Sequence, residues 1–198
     1  MYCVCIEIEK KVNCVLVYFR RTEWLNLKLI AELAVKNDGK IVGLKVETIA
    51  NLGGYASLFA TVTPTYLYGP LVLGLYDIPV AFCNVKAVYT NTAPVDAYRG
   101  AGRPEATYMI ERLVEKAAKE MGIDRAEFRN KNFISKFPHQ QCLVHNVDSG
   151  DYSAHLNKAL ELADYKNFEN RRTESKSCLL YTSPSPRDRT RSRMPSSA

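Results

Sequence analysis

Apolar and polar residues alternate along two neighbouring runs that begin near residue 31. The alternating apolar positions are Ala31, Leu33 and Val35 in the first run and Val42, Leu44 and Val46 in the second. Between the runs lies Asn37-Asp38-Gly39, whose residues favour tight turns because they tolerate left-handed backbone. Two alternating runs joined by such a turn predict a β-hairpin.

A further strand is predicted later in the chain. Residues 80–90, VAFCNVKAVYT, are rich in β-branched and aromatic side chains, which favour strands. The paired glycines Gly53 and Gly54, just after the hairpin, indicate a bulge or a close approach between backbones. Residues 56–76 mix Thr, Tyr, Leu and Gly and predict either a short helix or irregular packing.

The clearest helix begins near Pro104, since proline suits the first turn, where its missing N–H costs nothing. Gly122 can end this helix in the left-handed conformation. Apolar residues recur between these two positions at the spacing of one helical face. They are Ile110, Leu113, Val114, Ala117 and Met121.

Two more helices are predicted after Gly122. Asp124 and Glu127 have the spacing of a capping box for a short helix that reaches about Lys131. Residues 153–165 predict a last helix with Leu and Ala on one face. The order of hairpin, strand, glycine loop and helices indicates an α+β fold rather than repeated βαβ units.

The composition is that of an ordinary globular protein, with 198 residues, 46% hydrophobic and 24% charged. No apolar stretch reaches the roughly 18 residues of a transmembrane helix, and the N-terminal sequence lacks a signal-peptide pattern. We therefore expect a cytoplasmic protein. The net charge of +6 includes +2 from residues 1–29 and +3 from residues 178–198. The almost neutral middle disfavours a nucleic-acid surface.

The cysteines and histidines do not form a recognisable metal motif. No Cys-x-x-Cys pair occurs, and His139 and His145 flank only Cys142. Neither a zinc site nor an iron–sulfur cluster is therefore predicted within the chain.

The most informative motif is Arg99-Gly100-Ala101-Gly102, directly before the predicted helix. It is neither a dinucleotide fingerprint nor a P-loop, because Arg103-Pro104-Glu105 follows the glycines. The residue types leave two interpretations open. The segment is either a plain turn from strand to helix, or an anion site in which backbone N–H groups and an arginine bind an oxyanion.

A long stretch around this motif, APVDAYRGAGRPEATYMIERLVEKAAKEMGIDRAEFRNKNFI, resembles the molybdenum-binding large subunit of the xanthine dehydrogenase/aldehyde oxidase family. It is most similar to the aerobic carbon-monoxide-dehydrogenase-like large chains, and the resemblance spans roughly residues 31–175. The resemblance implies that residues 30–177 are part of a molybdopterin-binding domain, and that the chain is a fragment. We expect residues 1–29 to be a non-native segment and the Ser-, Pro- and Arg-rich residues 178–198 to be a disordered, non-native tail.

The resemblance also implies an activity, that of a molybdenum-dependent dehydrogenase or hydroxylase. Such an enzyme oxidises an aldehyde, a heteroaromatic compound or a similar small substrate, with water as the oxygen source. The implied cofactor is molybdenum–molybdopterin in its cytosine dinucleotide form. FAD and 2Fe–2S clusters are expected on partner subunits, a medium FAD-binding subunit and a small iron–sulfur subunit.

The same resemblance implies the site residues. Arg99, Gly100 and Ala101 would bind the cofactor, and Leu67 and Tyr98 would join Gly100 and Ala101 in the substrate pocket. The family's glutamate base lies near the far end of full-length subunits. We therefore expect no catalytic residue in this chain and no activity from the chain alone.

Three positions differ from well-known family members. Carbon monoxide dehydrogenases have a copper-binding cysteine in AYRCSFR where this chain has Gly100, which disfavours copper-dependent oxidation of carbon monoxide. Xanthine dehydrogenases have an aromatic residue and a substrate-binding arginine where this chain has Ala101 and Leu67, which disfavours a purine substrate. A small basic nucleic-acid-binding protein and a noncatalytic fragment remain alternative interpretations.

Overall fold

The computed structural model describes residues 14–24, 27–94, 96–97 and 99–177, with side chains described for residues 28–175 within these ranges. The chain divides into two compact units after Ala154. A four-stranded sheet forms the centre of the first unit. Its strands, in spatial order, are β1 (Cys14–Trp24), β2 (Leu27–Lys36), β3 (Ile41–Gly53) and β4 (Ala81–Tyr89).

The predicted hairpin is confirmed as β2 and β3, which pair antiparallel with Leu33 opposite Leu44. Gly39 in the turn has φ +88°, the left-handed conformation that favours glycine. One detail of the prediction is wrong. A register shift places Val35 opposite Ile41, so Ile41 is fully buried, whereas Val42, one of the predicted alternating apolar positions, is only partly buried.

Strand β1 was not predicted, because charges interrupt its apolar pattern. The structure pairs it antiparallel with β2, with Phe19 opposite Ala31. Its sequence, CVLVYFRRTEW, is nevertheless rich in β-branched and aromatic residues, which suit a strand. The predicted boundary between residues 29 and 30 falls inside β2, which begins at Leu27. The assignments made for residues 1–13 and 178–198 lie outside the described residues.

The predicted third strand is confirmed as β4, and the structure adds its direction. β4 runs parallel to β3, with Val46 opposite Cys83. A parallel neighbour requires a crossover, which here is a series of turns with a short 3₁₀ helix at Gly69–Leu71. The carboxyl ends of β3 and β4 consequently lie side by side.

Helix α1 (Arg103–Met121) confirms the predicted helix, and Gly122 ends it at φ +67°. Asp124 Oδ1 accepts hydrogen bonds from the backbone N–H groups of Ala126 (2.8 Å) and Glu127 (3.0 Å), so it caps α2 (Arg125–Asn132) as predicted. The buried face of α1 joins the inner face of the sheet in one hydrophobic core. Its members from α1 are Ala106, Met109, Ile110, Leu113, Val114, Ala117 and Ala118.

The remaining elements are small. Strands β5 (His139–Gln140) and β6 (Asn146–Val147) pair antiparallel. Helix α3 (Tyr152–Leu162) confirms the last predicted helix. Helix α4 (Phe168–Ser177) was not predicted, because its polar sequence has no apolar period. None of the helices in the described residues is long and apolar enough to cross a membrane.

Candidate functional site

The motif singled out by its sequence follows the carboxyl ends of the parallel strands β3 and β4. Open sheets with parallel strands commonly bind ligands beyond this end, where the loops that leave neighbouring strands converge. The segment from Thr90 to Gly102 connects β4 to α1 here. The segment that leads to the arginine and glycine residues therefore begins at this end of the sheet.

Gly53, the last residue of β3, brings the two strand ends into contact with this segment. Its φ is +81°, and a β-carbon at this position would lie 2.4 Å from Pro94 Cα and 2.6 Å from Ala93 O. Any other residue would push the backbone of the segment away. The predicted close backbone contact at the paired glycines is confirmed at Gly53.

A cluster of short polar side chains holds the same strand ends together. Asn51 Oδ1 accepts hydrogen bonds from Thr90 Oγ1 (2.7 Å) and from the Gly53 N–H (2.8 Å). Asn51 Nδ2 donates to Thr92 Oγ1 at 3.0 Å. Sequence reasoning missed this cluster, although asparagine and threonine beside glycine and proline are typical of side chains that bond local backbone. The cluster fixes where the segment leaves the sheet.

The glycine loop, defined here as residues 99–102, has three successive residues in left-handed conformation. The φ angles are +98° for Gly100, +40° for Ala101 and +90° for Gly102. The Arg103 N–H donates to Gly100 O at 3.1 Å, which closes the loop onto the start of α1. A non-glycine residue in this conformation costs about 1–2 kcal/mol, so Ala101 is locally strained.

At Gly102 the loop packs closely against residues 63–67 of the crossover. A β-carbon at Gly102 would lie 2.7 Å from Thr63 O and 2.9 Å from the carbonyl carbon and oxygen of Leu67. Beside Leu67, the fully buried Tyr68 holds this segment in the core, with its hydroxyl 3.2 Å from Thr48 Oγ1. The two segments thus pack backbone against backbone.

The structure brings the predicted site residues together on this framework. Arg99 is exposed, while Gly100, Ala101 and Leu67 are partly buried. Tyr98, also predicted for the pocket, lies outside the described residues. The loop and the Leu67 segment are neighbours in space, and the roles of these residues in binding stay predictions.

Polar groups that sequence reasoning did not single out flank the loop. Thr63 Oγ1 and Glu105 Oε2 are buried atoms with no hydrogen-bond partner among the described residues. Buried polar groups are normally paired, so these two atoms indicate a place for a ligand or water with hydrogen-bond donors. On the approach to the loop, the Ala97 N–H donates to Asp96 Oδ1 (2.6 Å) and lowers the pKa of this carboxyl.

The described residues contain no group of three or more His, Cys, Asp or Glu side chains placed to hold a metal ion. Burial raises the pKa of the Cys142 thiol, which is therefore not activated as a thiolate. These residues can bind a ligand in three ways. The exposed Arg99 offers a positive charge, the glycine loop offers backbone groups, and Thr63 Oγ1 and Glu105 Oε2 offer unpaired oxygen atoms.

Proteins of similar sequence show which family the chain belongs to. Residues 22–133 match the family described as the molybdopterin cofactor-binding domain. The chain belongs to this family. The predicted family is thereby confirmed, and the matched range contains the sheet from within β1 onward, the glycine loop, α1 and α2.

Individual relatives agree with this assignment. The chain is 46% identical over 139 residues to the carbon monoxide dehydrogenase large chain of Hydrogenophaga pseudoflava, covering 68% of this chain and 17% of that protein. It is 37% identical over 148 residues to the gamma subunit of the 6-hydroxypseudooxynicotine dehydrogenase complex of Paenarthrobacter nicotinovorans, covering 69% and 18%. The chain therefore spans less than a fifth of the length of these relatives.

Solved structures share the fold. Quinoline 2-oxidoreductase from Pseudomonas putida 86 superposes with a TM-score of 0.72 at 27% identity, covering 76% of this chain and 20% of that one. A Cu,Mo-CO dehydrogenase superposes with a TM-score of 0.69 at 32% identity, covering 77% and 20%. These likenesses confirm the predicted α+β fold as that of a molybdopterin-binding fragment.

Proposed function

We propose that this chain forms the part of an oxidoreductase large subunit that contacts a molybdenum–molybdopterin cofactor through residues 99–101. The observation that carries the proposal is the left-handed glycine loop, which packs against residues 63–67 of the crossover in a chain that belongs to the cofactor-binding family. The contact of individual residues with the cofactor is our inference.

The residues around the loop suit such a cofactor. A molybdopterin carries phosphate and oxo groups, which an exposed arginine such as Arg99 binds through charge-assisted hydrogen bonds. Its pterin ring carries N–H groups, for which Thr63 Oγ1 and Glu105 Oε2 are available acceptors. The absence of a β-carbon at Gly102 lets the loop pack closely against the backbone of Thr63 and Leu67, which holds Arg99 to Ala101 in place.

The bound cofactor would supply a two-electron redox centre that uses water as the oxygen source. The residues of this chain contribute binding and orientation. Arg99 holds negative charge in place, and the partly buried Leu67 and Ala101 contribute apolar surface to the proposed site. The general base is expected outside this chain, so we assign no proton transfer to its residues.

The side chains at the loop favour an aldehyde or a heteroaromatic substrate. Gly100 has no side chain with which to hold a second metal, so we propose that the enzyme does not depend on copper. Ala101 and Leu67 offer no hydrogen bonds to a purine. Two matched proteins are named for heteroaromatic compounds, the nicotine 6-hydroxylase large subunit and quinoline 2-oxidoreductase.

The remaining expectations concern the intact enzyme. We propose the cytosine dinucleotide form of the cofactor, with FAD and 2Fe–2S clusters on separate medium and small subunits, in the cytoplasm. The isolated 198-residue protein should hold no molybdenum and oxidise no aldehyde. Elemental analysis and a dye-reduction assay of the purified protein test this, and stoichiometric molybdenum with turnover would contradict it.

A chimera tests the function of the loop. Residues 22–133 of this chain replace the matching segment of the Hydrogenophaga pseudoflava large chain, which is expressed with its partner subunits. We expect molybdenum content within about twofold of the host enzyme, oxidation of aldehydes or quinoline, and no oxidation of carbon monoxide. A folded chimera without molybdenum would refute the proposal.

Two arginines of the same segment provide a matched comparison. Arg99→Ala removes the proposed charge-assisted hydrogen bonds, which contribute about 1.5–3 kcal/mol, so cofactor affinity should fall by roughly tenfold or more. Arg103→Ala removes an exposed arginine whose Nη1 lies 3.5 Å from Gly100 O and should leave the molybdenum content nearly unchanged. Equal effects of the two substitutions would contradict a specific role for Arg99.

A further inference from the structure

The inner face of the sheet is less completely covered at β4 than at the neighbouring strand β3. In the parallel register, Cys83 lies opposite Val46 and Val85 lies opposite Thr48. Val46 and Thr48 are buried, whereas Cys83 and Val85 are only partly buried, although they pack against the same hydrophobic core. The core therefore extends to β4 but is partly open there.

The size of the covering elements accounts for this difference. Helix α1 packs against β1 and β2, while the element that packs against β4 is the short 3₁₀ helix Gly69–Leu71. An apolar sheet face is stable only when another element buries it. A helix of three residues is too short to cover a strand of nine.

An apolar cleft of about 410 Å³ lies beside β4 as a result. Its walls include Tyr66, Gly69 and Pro70 of the crossover, Cys83 and Val85 of β4, and Leu143. The described residues that line it include no charged side chain. Cavities of about 300–1,000 Å³ can bury groups as large as a drug-sized ligand, so this cleft has room for apolar side chains of a partner.

The outer face of the same strands has the opposite character. Lys86 of β4 is exposed on this face. On the neighbouring strands, Lys45 Nζ lies 3.6 Å from Glu32 Oε1 and 3.7 Å from Glu47 Oε1. Charged side chains suit a face that remains in water, so a protein partner is expected on the inner face alone.

We propose that the cleft beside β4 is a docking site for apolar side chains from the part of the large subunit that this chain does not contain. The inference rests on the proposed function, in which the chain is part of such a subunit. The chain covers 17% of the Hydrogenophaga pseudoflava large chain and 20% of a CO dehydrogenase chain of the same fold. Most of the length of such a subunit is therefore available to cover the cleft.

The thiol of Cys83 provides a probe of whether the cleft is covered. A β-carbon at Gly69, across the cleft, would lie 3.7 Å from Cys83 Sγ. Labelling with iodoacetamide is followed by mass spectrometry in the 198-residue chain and in the chimera described above, extended to residues 22–147. Cys142→Ser in both proteins leaves Cys83 as the only cysteine of the transferred segment.

We expect Cys83 to react at least about tenfold more slowly in the chimera than in the isolated chain, because a covered thiol reacts only when the structure opens locally. The matched control, Cys83→Ser/Lys86→Cys, places the thiol on the exposed outer face of the same strand. Its labelling rate should be the same in both proteins. Equal rates for Cys83 in the two proteins, or equal protection of both thiols, would overturn the proposal.

Labelling of the isolated chain tests two other occupants. A rate for Cys83 that falls as the protein concentration rises would assign the cleft to a second copy. A rate that increases on deletion of residues 178–198 would assign it to that segment, and either result would overturn the proposal.

The molybdenum content of the same chimera separates this inference from the proposed function. A folded chimera with a protected Cys83 but without molybdenum would refute the proposed function alone. A chimera that holds molybdenum while Cys83 reacts as fast as in the isolated chain would overturn the docking site alone.

Discussion

Asn132 is the buried side chain whose loss should damage this fold most clearly. It lies at the end of α2, is 0% exposed, and makes three hydrogen bonds. Its Oδ1 accepts from the Ile41 N–H at 2.8 Å, and its Nδ2 donates to Gly39 O and Phe128 O, both at 2.9 Å. One amide thus ties the turn of the β2–β3 hairpin to a helix more than ninety residues later.

The cost of Asn132→Ala follows from these contacts. Each hydrogen bond contributes about 1 kcal/mol net, and a buried donor or acceptor left unpaired costs about 1–3 kcal/mol. The substitution leaves the Ile41 N–H and Gly39 O buried without their partner. We expect a loss of about 4 kcal/mol in the free energy of unfolding, which corresponds to a fall in Tm of about 10 °C.

Urea unfolding and thermal melting, both followed by circular dichroism, measure this loss. Asn130→Ala provides the matched control, since Asn130 lies in the same helix and is exposed. Its replacement should change stability by less than about 0.7 kcal/mol, the range of helix propensity. Equal effects of the two substitutions, or a loss below about 1 kcal/mol for Asn132→Ala, would refute the reasoning.

A second substitution separates hydrogen bonding from packing. Asn132→Asp preserves the shape and the acceptor for Ile41, but it places a carboxylate oxygen against the carbonyl oxygens of Gly39 and Phe128. We expect it to destabilise the protein at least as much as Asn132→Ala at neutral pH. A near-neutral effect of this isosteric change would show that shape, rather than hydrogen bonding, accounts for the role of Asn132.

Other predictions follow from the buried and closely packed positions. Gly53→Ala should destabilise the protein by more than 2 kcal/mol, about the combined cost of left-handed backbone and overpacking against Pro94. Gly54→Ala, whose β-carbon would meet nothing closer than 3.5 Å, should cost clearly less in the same urea titration, and equal losses would contradict the packing argument. Burial raises the pKa of Tyr68 and Tyr76 above the ordinary value of 10.0, so the unfolded chain ionises first and stability should decline as the pH rises above 10. Unfolding titrations at pH 8 and pH 11 should show a weaker decline for Tyr68→Phe/Tyr76→Phe, and an undiminished decline would contradict this cause.

Local features were predictable from the sequence because neighbouring residues determine them. The hairpin follows from alternation around Asn37-Asp38-Gly39, and α1 follows from its apolar period between Pro104 and Gly122. The Asp124 cap depends on groups only two and three residues away. The family assignment likewise rests on one continuous motif around Arg99.

Contacts between distant segments required the tertiary structure. The parallel direction of β4 is decided by how the crossover packs, and its own residues carry no signal for it. The burial of Ile41 instead of Val42 depends on a register shift between β2 and β3, in which Val42 is skipped. The Asn51 cluster forms only when the ends of β3 and β4 meet.

The glycine loop combines features that local sequence predicts with features that depend on contacts between distant segments. The sequence by itself determined that Arg99, Gly100 and Ala101 precede a helix and that glycine occupies position 100. Only the folded chain decided that Leu67 lies beside Gly102 and that the Pro104 ring is what excludes a side chain at Gly100. The physical reason is that residue types set local conformational preferences, whereas close packing of non-neighbouring atoms determines which of the allowed shapes can be occupied.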